Sequence, residues 1–282
     1  MSLQFFINWA VSFALGLAVP AAGLFVRVRL RRRRLRGFFG QDALGEAGIS
    51  VALSVLDPLT DMQFEPGEER TMAFKVFPRG RKEKWPIYGR TLHLADQDAY
   101  VQIHDLLRAE GARNVQLVPD YEALGQWRAA PCVVCLGSPF VNATFTELLQ
   151  VRGEPEPFIT AERPRPTLDS YRVFIREPRR LLLGVDEQNA IGVVVRLPNP
   201  AKPKDSVVAV WGCRAESTRT AAQYMREEFR RVARWAGRDQ PLVVLLAIRG
   251  ALLDVATLMY VATDQVHEED PKLLQIHLRD DA

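Results

Sequence analysis

A run of uncharged residues near the N-terminus constrains the fold more than any other feature of this sequence. Residues 5–26 read FFINWAVSFALGLAVPAAGLFV and contain no charged side chain. At about 1.5 Å per residue, a helix of this length spans the roughly 30 Å hydrocarbon core of a bilayer. Pro20 is compatible with a membrane helix, in which neighbouring groups satisfy the freed backbone carbonyl. The run therefore predicts one transmembrane helix, within a membrane anchor over residues 1–36.

The apolar run is followed at once by arginines, and no acidic residue occurs before residue 41. We call Arg27–Arg36 the collar; its cationic members are Arg27, Arg29, Arg31, Arg32, Arg33, Arg34 and Arg36. A secretory signal peptide carries its charge before the apolar run, so this order favours a permanent anchor. The positive-inside rule then predicts a cell-membrane protein with its N-terminus outside and its main domain cytoplasmic. The collar is also expected to contact anionic lipid headgroups, at about 1 kcal/mol per charge near the surface.

A second apolar stretch, residues 242–263, needs the same test. It contains Arg249 and Asp254, and Arg249-Gly250 divides it into two shorter runs. Two buried strands fit this pattern better than a second membrane span. The sequence therefore predicts a single-pass protein.

Charge and cysteine content exclude several classes of protein. The chain has 37 Lys and Arg, 34 Asp and Glu, and a net charge of +3. The collar supplies seven of the positive charges, so residues 41–282 carry a net charge of −4. A mildly acidic body is poorly suited to phosphate backbones, which argues against nucleic-acid binding. Three cysteines form no closed disulfide framework and suit a reducing compartment.

The part after the collar predicts an α/β fold. Residues 37–86 are interpreted as a neck or a small β-rich elaboration, and residues 87–282 as a cytosolic domain of alternating strands and helices. A Pro-rich crossover at 154–166 joins its two halves, 87–153 and 168–282. The alternation predicts a Rossmann-like, largely parallel sheet with flanking helices, preceded by the transmembrane helix.

Cys132 and Cys135 form a CxxC motif within the apolar segment PCVVCL. In a strand, positions i and i+3 project to opposite faces, so the two thiols cannot hold one metal ion. We therefore predict no metal site there. Motifs for dinucleotide binding, the P-loop and the nucleophile elbow do not occur in the sequence either.

Two junctions between a strand and a helix are the candidate ligand sites. The first follows the strand CVVCL and offers Gly137, Ser138 and Asn142. The second precedes a long helix, and its candidates are Gly212, Ser217 and Thr218. Ligands of open α/β sheets bind at the carboxyl ends of the strands, and a helix N-terminus accepts anions. Ordinary helix capping explains the same residue types, so both interpretations stay open.

The stretch 88–150 resembles the Toll/interleukin-receptor (TIR) and nucleoside deoxyribosyltransferase-like Rossmannoid domains. The likeness lies in GRTLHL, in Asp96 leading into the segment DAYVQIHDLLRAEG, in NVQLVPD, and in CVVCLGSP followed by TFTELL. In those families, a glutamate on the equivalent helix acts at the ribosyl carbon of a nucleotide. The resemblance implies that Glu147 is the catalytic residue, with Ser138 and Asn142 lining the pocket and NAD or another nucleotide as ligand.

Three functional hypotheses follow. The leading one is a membrane-anchored protein whose Rossmann-like domain binds a small ligand, such as a nucleotide, or acts in signalling. The second is a nucleotide glycohydrolase or ribosyltransferase that uses Glu147. The third is a non-catalytic scaffold that binds a partner at the membrane. The candidate partners are the lipid bilayer, a small nucleotide and a second copy of this chain.

Overall fold

The fold is described from a computed structural model. It describes residues 3–54, 62–63, 72–76, 82–86, 94–120, 123, 125–128, 132–137, 142–151, 159–162, 172–175, 189–236, 240–250, 253–263 and 267–269. Side chains of the first helix are described at Phe13 and from Gly16 onward. Most of the segment GRTLHL (89–94), and Ser138, lie outside the described residues.

An eight-stranded sheet forms the centre of the molecule, in the order β13-β12-β11-β9-β10-β6-β1-β5. Its strands are mostly continuous apolar runs that are buried along their length. Their bounds are β1 Ile49–Leu53, β5 Val115–Pro119, β6 Cys132–Leu136, β9 Asn189–Pro198, β10 Ser206–Gly212, β11 Leu242–Arg249, β12 Val255–Thr263 and β13 His267–Glu269.

The sheet is parallel in one half and antiparallel in the other. Strands β5, β1, β6 and β10 run parallel, with Ile49 opposite both Val115 and Cys132. Strands β10, β9, β11, β12 and β13 pair antiparallel. The prediction of an α/β fold with a parallel sheet and flanking helices is confirmed, and the antiparallel half adds to it. The two strands predicted within residues 242–263 are β11, which is buried, and β12, which is partly exposed, and they pair antiparallel.

Residues 37–86 do not form one separate unit. Strand β1 lies inside the main sheet, between β5 and β6. Strands β2 (Met62–Gln63), β3 (Met72–Val76) and β4 (Lys82–Pro86) form a small antiparallel sheet of their own. The β-rich elaboration therefore begins only after β1. A further pair, β7 (Ile159–Glu162) and β8 (Arg172–Ile175), follows the start of the Pro-rich segment.

The described ranges contain four α-helices beside the sheet: α1 Leu3–Phe39, α2 Leu94–Glu110, α3 Ala143–Val151 and α4 Ala215–Trp235. Helices α1, α2 and α4 contact one another on one face of the sheet. In α4, Met225, Phe229 and Val232 are buried at helical spacing, which packs the helix on the sheet. The arginines of its opposite side are exposed: Arg226, Arg230 and Arg234.

Helix α1 enters the domain only through its C-terminal end. Residues 16–33 are exposed, whereas Leu35, Phe38 and Phe39 are fully buried in the core. Each of these burials contributes about 1.5–3 kcal/mol, so the end of the helix is part of the folded domain. Among the residues that the structure describes, no helix has both the length and the apolar composition needed to cross a membrane.

Candidate functional site

The carboxyl edge of the parallel strands is where the first candidate junction lies. The parallel strands lie in the order β5-β1-β6-β10. From β1 the chain first adds β5 on one side and then β6 on the other, so the strand order reverses between β1 and β6. Such a reversal is the usual ligand crevice of an open α/β sheet. The residues that directly follow β1, β5 and β6 are Ser54, Asp120 and Gly137. The fold therefore brings the first junction to the expected place.

The Asn142 side chain at this crevice is hydrogen-bonded to the protein's own backbone. Its side chain is fully buried, and its Nδ2 donates to the carbonyls of Ala52 and Leu136, both at 3.0 Å. Its Oδ1 accepts the backbone N–H of Phe145 at 3.0 Å, which is an N-cap bond of α3. One amide thus joins the ends of β1 and β6 and starts the following helix. The side chain has used both of its amide hydrogens and its oxygen on the protein itself.

Asp120 braces the same edge from β5. Its carboxylate accepts the backbone N–H of Ala143 at 2.7 Å, and its carbonyl accepts the hydroxyl of Thr144. The N-terminus of α3 thereby receives a carboxylate from the protein, which is the charge that a helix N-terminus favours. Gly137 is buried as well, and its N–H donates to the carbonyl of Val210 at 3.1 Å. In the described part of the first junction, the polar groups of Asn142, Asp120 and Gly137 are therefore hydrogen-bonded within the protein.

Glu147 lies on α3 and holds the turn at residues 125–128. Its Oε2 accepts the N–H of Gly125 at 2.9 Å and the indole N–H of Trp127 at 3.1 Å. Its Oε1 lies 3.4 Å from the guanidinium of Arg128, which also stacks over the Trp127 ring at 4.6 Å. The carboxylate that the family resemblance assigns to catalysis thus fastens the β5–β6 connection to α3.

The second junction is packed against the end of β10. The Gly212 N–H donates to the Thr218 hydroxyl at 3.0 Å. A Cβ on Gly212 would overlap the backbone of Ser217, so only glycine allows this close approach. The Ser217 hydroxyl is fully buried and has no hydrogen-bond partner among the described residues. The hydrogen bond between Gly212 and Thr218 therefore joins the end of β10 to the first turn of α4. Glu147 and Ser217 contact different segments of the chain.

The cysteines are buried and remain protonated. Burial raises the pKa of Cys132 and of Cys135 far above the usual range, and it raises the pKa of Cys213 to about 12. The Cys132 thiol donates to the carbonyl of Phe39 at 3.0 Å. A thiol is reactive only as thiolate, so these three side chains pack as small apolar groups. Among the described residues, no group of three His, Cys, Asp or Glu could hold a metal ion.

The junction between α1 and the sheet is a site that the sequence did not reveal. Arg196 on β9 is 2% exposed, and it donates to the carbonyls of Phe38 and Gln240, both at 2.6 Å, and of Gly37 at 3.4 Å. The last carbonyls of a helix carry partial negative charge, so a buried guanidinium is a strong C-terminal cap. The one signal in the sequence is an arginine within the apolar strand AIGVVVRL.

Two further contacts fix the same helix end. Arg34 forms a bidentate ion pair with Glu110 of α2, at 3.0 and 3.1 Å. Gly40 has φ 123° and pairs with Asp205, whose side chain leaves no room for a Cβ. The Asp205 carboxylate also accepts the Asp42 N–H at 3.2 Å. Helix α1 is thus joined to α2, β9 and the strand entry of β10.

A cavity of about 1410 Å³ lies in the corner between the exposed part of α1 and the domain. We call this corner the wedge. One face of α1 lines it through four collar arginines, and the domain contributes Arg196 and Lys204. Among the lining residues that the structure describes, Asp42 is the only carboxylate. The wedge is therefore strongly electropositive. It differs in this from the carboxyl edge of β1, β5 and β6, where the polar groups bond to one another.

Comparison with known proteins gives no relative from which function could be transferred. No protein-family model matches the chain, and neither a curated protein nor a solved structure is similar to it.

Proposed function

We propose that this chain is a single-pass membrane protein with an external N-terminus, and that its cytosolic α/β domain is a non-catalytic binding module held at the inner surface. The observation that carries this proposal is the uncharged run at residues 5–26, most of which is apolar. Large apolar side chains such as Leu17, Leu24 and Phe25 are 60–67% exposed, and the collar follows them. An apolar helix surface of this extent is unfavourable in water and favourable in lipid.

The attachment of α1 to the domain supports a role that depends on orientation. The buried end of α1 leaves no flexible linker between the helix and the sheet. A membrane-embedded helix would therefore set the direction in which the domain faces the cytosol. This geometry suits a module that presents one surface to a partner, as a scaffold does.

Alkaline carbonate extraction of membranes tests the anchor. The intact chain is expected in the pellet, and a variant lacking residues 1–26 in the supernatant. This deletion keeps Leu35, Phe38 and Phe39, so the domain retains its core. Protease added to intact cells should cut a tag at the N-terminus and spare one at the C-terminus. Release of the intact chain by carbonate would refute the proposal.

A nucleotide-binding domain is the second candidate, because the strand order reverses between β1 and β6. Calorimetry of the detergent-solubilised full chain against NAD and a nucleotide panel tests it. Binding that is lost in a variant altered next to the β1 or β6 end, such as Ser54→Trp, would establish this candidate. Absence of heat with every nucleotide leaves partner binding as the function.

Glu147→Gln tests the enzymatic alternative. The amide keeps one acceptor oxygen but loses the ion pair with Arg128, so we expect a loss of about 1 kcal/mol in unfolding free energy. Asp105→Asn, at an exposed carboxylate of α2, is the control and should change stability little. We expect no NAD hydrolysis by the wild-type chain. Turnover that disappears in Glu147→Gln with the fold intact would assign catalysis to Glu147.

A further inference from the structure

The wedge differs from a diffuse basic surface because its charges converge from two elements. Arg29, Arg32 and Arg36 lie at i, i+3 and i+7 on α1 and line about 10 Å of the helix. Arg33 lines it beside them, and Lys204 faces the cavity from the β9–β10 turn. Other collar arginines, Arg27 and Arg31, are not among the lining residues. The collar therefore has a wedge side and a free side.

The wedge also has an apolar end. Phe25 and Val28 line it on the side of the predicted membrane span, and the arginines line it on the side of the domain. A ligand that fits both must join an apolar part to an anionic part. Free phosphate compounds would satisfy the arginines alone, whereas a phospholipid satisfies both ends.

The charge and the volume of the wedge restrict which lipid headgroup it can bind. Within the described part of the chain, six cationic side chains and a single carboxylate line the wedge. A headgroup with one phosphate would balance only a small part of this charge, whereas arginines bind phosphate groups in bidentate fashion. The volume of about 1410 Å³ exceeds the roughly 300–1,000 Å³ of common small-ligand pockets. Both observations favour a bulky headgroup with more than one phosphate.

We propose that the wedge is a specific binding site for an anionic phospholipid whose headgroup carries two phosphate groups. The phosphates contact Arg29, Arg32, Arg36 and Lys204, and the acyl chains leave past Phe25 and Val28. Arg196 adds a fixed positive charge at the inner wall, held by the carbonyls of Gly37 and Phe38. This assignment rests on the proposed function, because it requires α1 to stand in the membrane.

The test compares two double variants of the full chain in neutral detergent. Arg29→Gln with Arg32→Gln removes two wedge charges, and Arg27→Gln with Arg31→Gln removes two charges from the free side. All four side chains are exposed, and glutamine keeps the helix propensity. The probe is diphosphatidylglycerol, with phosphatidylglycerol at equal total phosphate as reference, and the readout is the shift in unfolding temperature.

We expect the wild-type chain to prefer diphosphatidylglycerol. The wedge-side double variant should weaken its apparent affinity at least tenfold, and the free-side variant less than threefold. Lys204→Gln should weaken it at least threefold, although Lys204 lies outside the collar. Equal losses in the two double variants, or no preference between the lipids, would overturn the site and leave only diffuse attraction.

Two further measurements distinguish a lipid site from a soluble-anion site, and failure of the site from failure of the anchor. Inorganic pyrophosphate that stabilises the chain as much as the lipid would assign the wedge to a soluble anion and overturn the lipid assignment. Carbonate extraction of the same chains reports on the anchor independently. A chain that stays in the membrane but does not distinguish the double variants refutes the site alone, whereas a released chain refutes the anchor.

Discussion

Two parts of one helix behave differently in this molecule. From Gly16 to Arg33, α1 is exposed on every side, although the residues up to Val26 are mostly apolar. From Arg34 to Phe39, the same helix is bonded and packed into the domain. The helix backbone continues without a break from one part to the other, so the difference in exposure comes from the side chains. The comparison shows that one continuous helix can be docked at one end only: the second part has its partners within the chain, whereas the first part exposes an apolar surface that our proposal places in lipid.

Leu35→Ala and Leu24→Ala test the comparison most directly. Leu35 is fully buried and Leu24 is 65% exposed, although only eleven positions separate them on α1. Removing buried methylene groups costs about 2–5 kcal/mol, including the cavity that remains. We expect that loss for Leu35→Ala and less than about 0.5 kcal/mol for Leu24→Ala.

The measurement is urea unfolding of the detergent-solubilised chain, followed by the fluorescence of the buried Trp127 and Trp211. The free energy of unfolding should separate the two variants clearly. Similar losses in both would mean that Leu24 also packs against protein, and the division of α1 at Arg34 would be wrong.

Arg196→Lys tests the cap at the end of the docked part. A lysine keeps the charge but cannot donate to the separate carbonyls of Phe38 and Gln240 from one planar group. Leaving a buried carbonyl unpaired costs about 1–3 kcal/mol, and we expect a loss in this range. Arg230→Lys, at an exposed position of α4, is the matched control. Hydrogen exchange should rise at residues 36–40 in the first variant only. Unchanged exchange there would show that packing alone holds the helix end.

Much of the fold could be predicted from local pattern. Strand β6 lies at the apolar run CVVCL, and β11 and β12 lie on either side of Arg249-Gly250, because each apolar run has a clear end in the sequence. The position of β1 was not predicted, since its pairing with β5 joins residues more than sixty positions apart. The direction of β9 was not predicted either, because a fully buried strand reads the same in a parallel and in an antiparallel sheet.

The candidate site was harder to predict for a physical reason. The sequence pointed to Asn142 and Thr218, and the structure places both at helix starts, but as acceptors and donors to the protein's own backbone. Residue type alone does not separate a cap from a ligand contact, because both use the same hydrogen bonds. Arg196 was missed because a pattern of apolar residues treats one arginine as an interruption, whereas its partners Phe38 and Gly37 lie 158 and 159 positions away and Gln240 lies 44 away.

The ion pair between Arg34 and Glu110 is a smaller test of the same boundary. The pair is bidentate and partly buried, with side chains 24% and 9% exposed. A double-mutant cycle with Arg34→Gln and Glu110→Gln should give a coupling of about 0.5–1 kcal/mol, decreasing at high salt. The same cycle with Arg31 and Glu110 should give none, since Arg31 belongs to the exposed part of α1. Equal coupling at both arginines would extend the docked part toward the collar.

The smallest expected effect concerns Asp205, which holds the chain just after α1. Burial raises the pKa of this carboxyl, and the Asp42 charge adds to the rise, while the Asp42 N–H and Lys202 oppose it. Cys132 also lies against the carboxylate, at 3.9 Å. Because the folded pKa lies above the unfolded value of 3.8, the native state binds more protons than the unfolded state between those two values. The free energy of unfolding therefore falls as pH rises through that window. Below and above the window, the contribution of Asp205 does not change with pH.

Asp205→Asn removes this titration while keeping an oxygen that can accept the Asp42 N–H. The variant should thus gain stability relative to wild type as pH rises from 3.8 through the raised pKa, and the gain should then level off. Urea unfolding at half-unit pH intervals measures the difference. Asp254→Asn, at an exposed carboxyl, should show no such trend. A relative gain that increases toward acid pH would mean that the Asp205 charge is stabilised at this junction, and that the docked part of α1 depends on an ionic contact rather than on a hydrogen bond and packing.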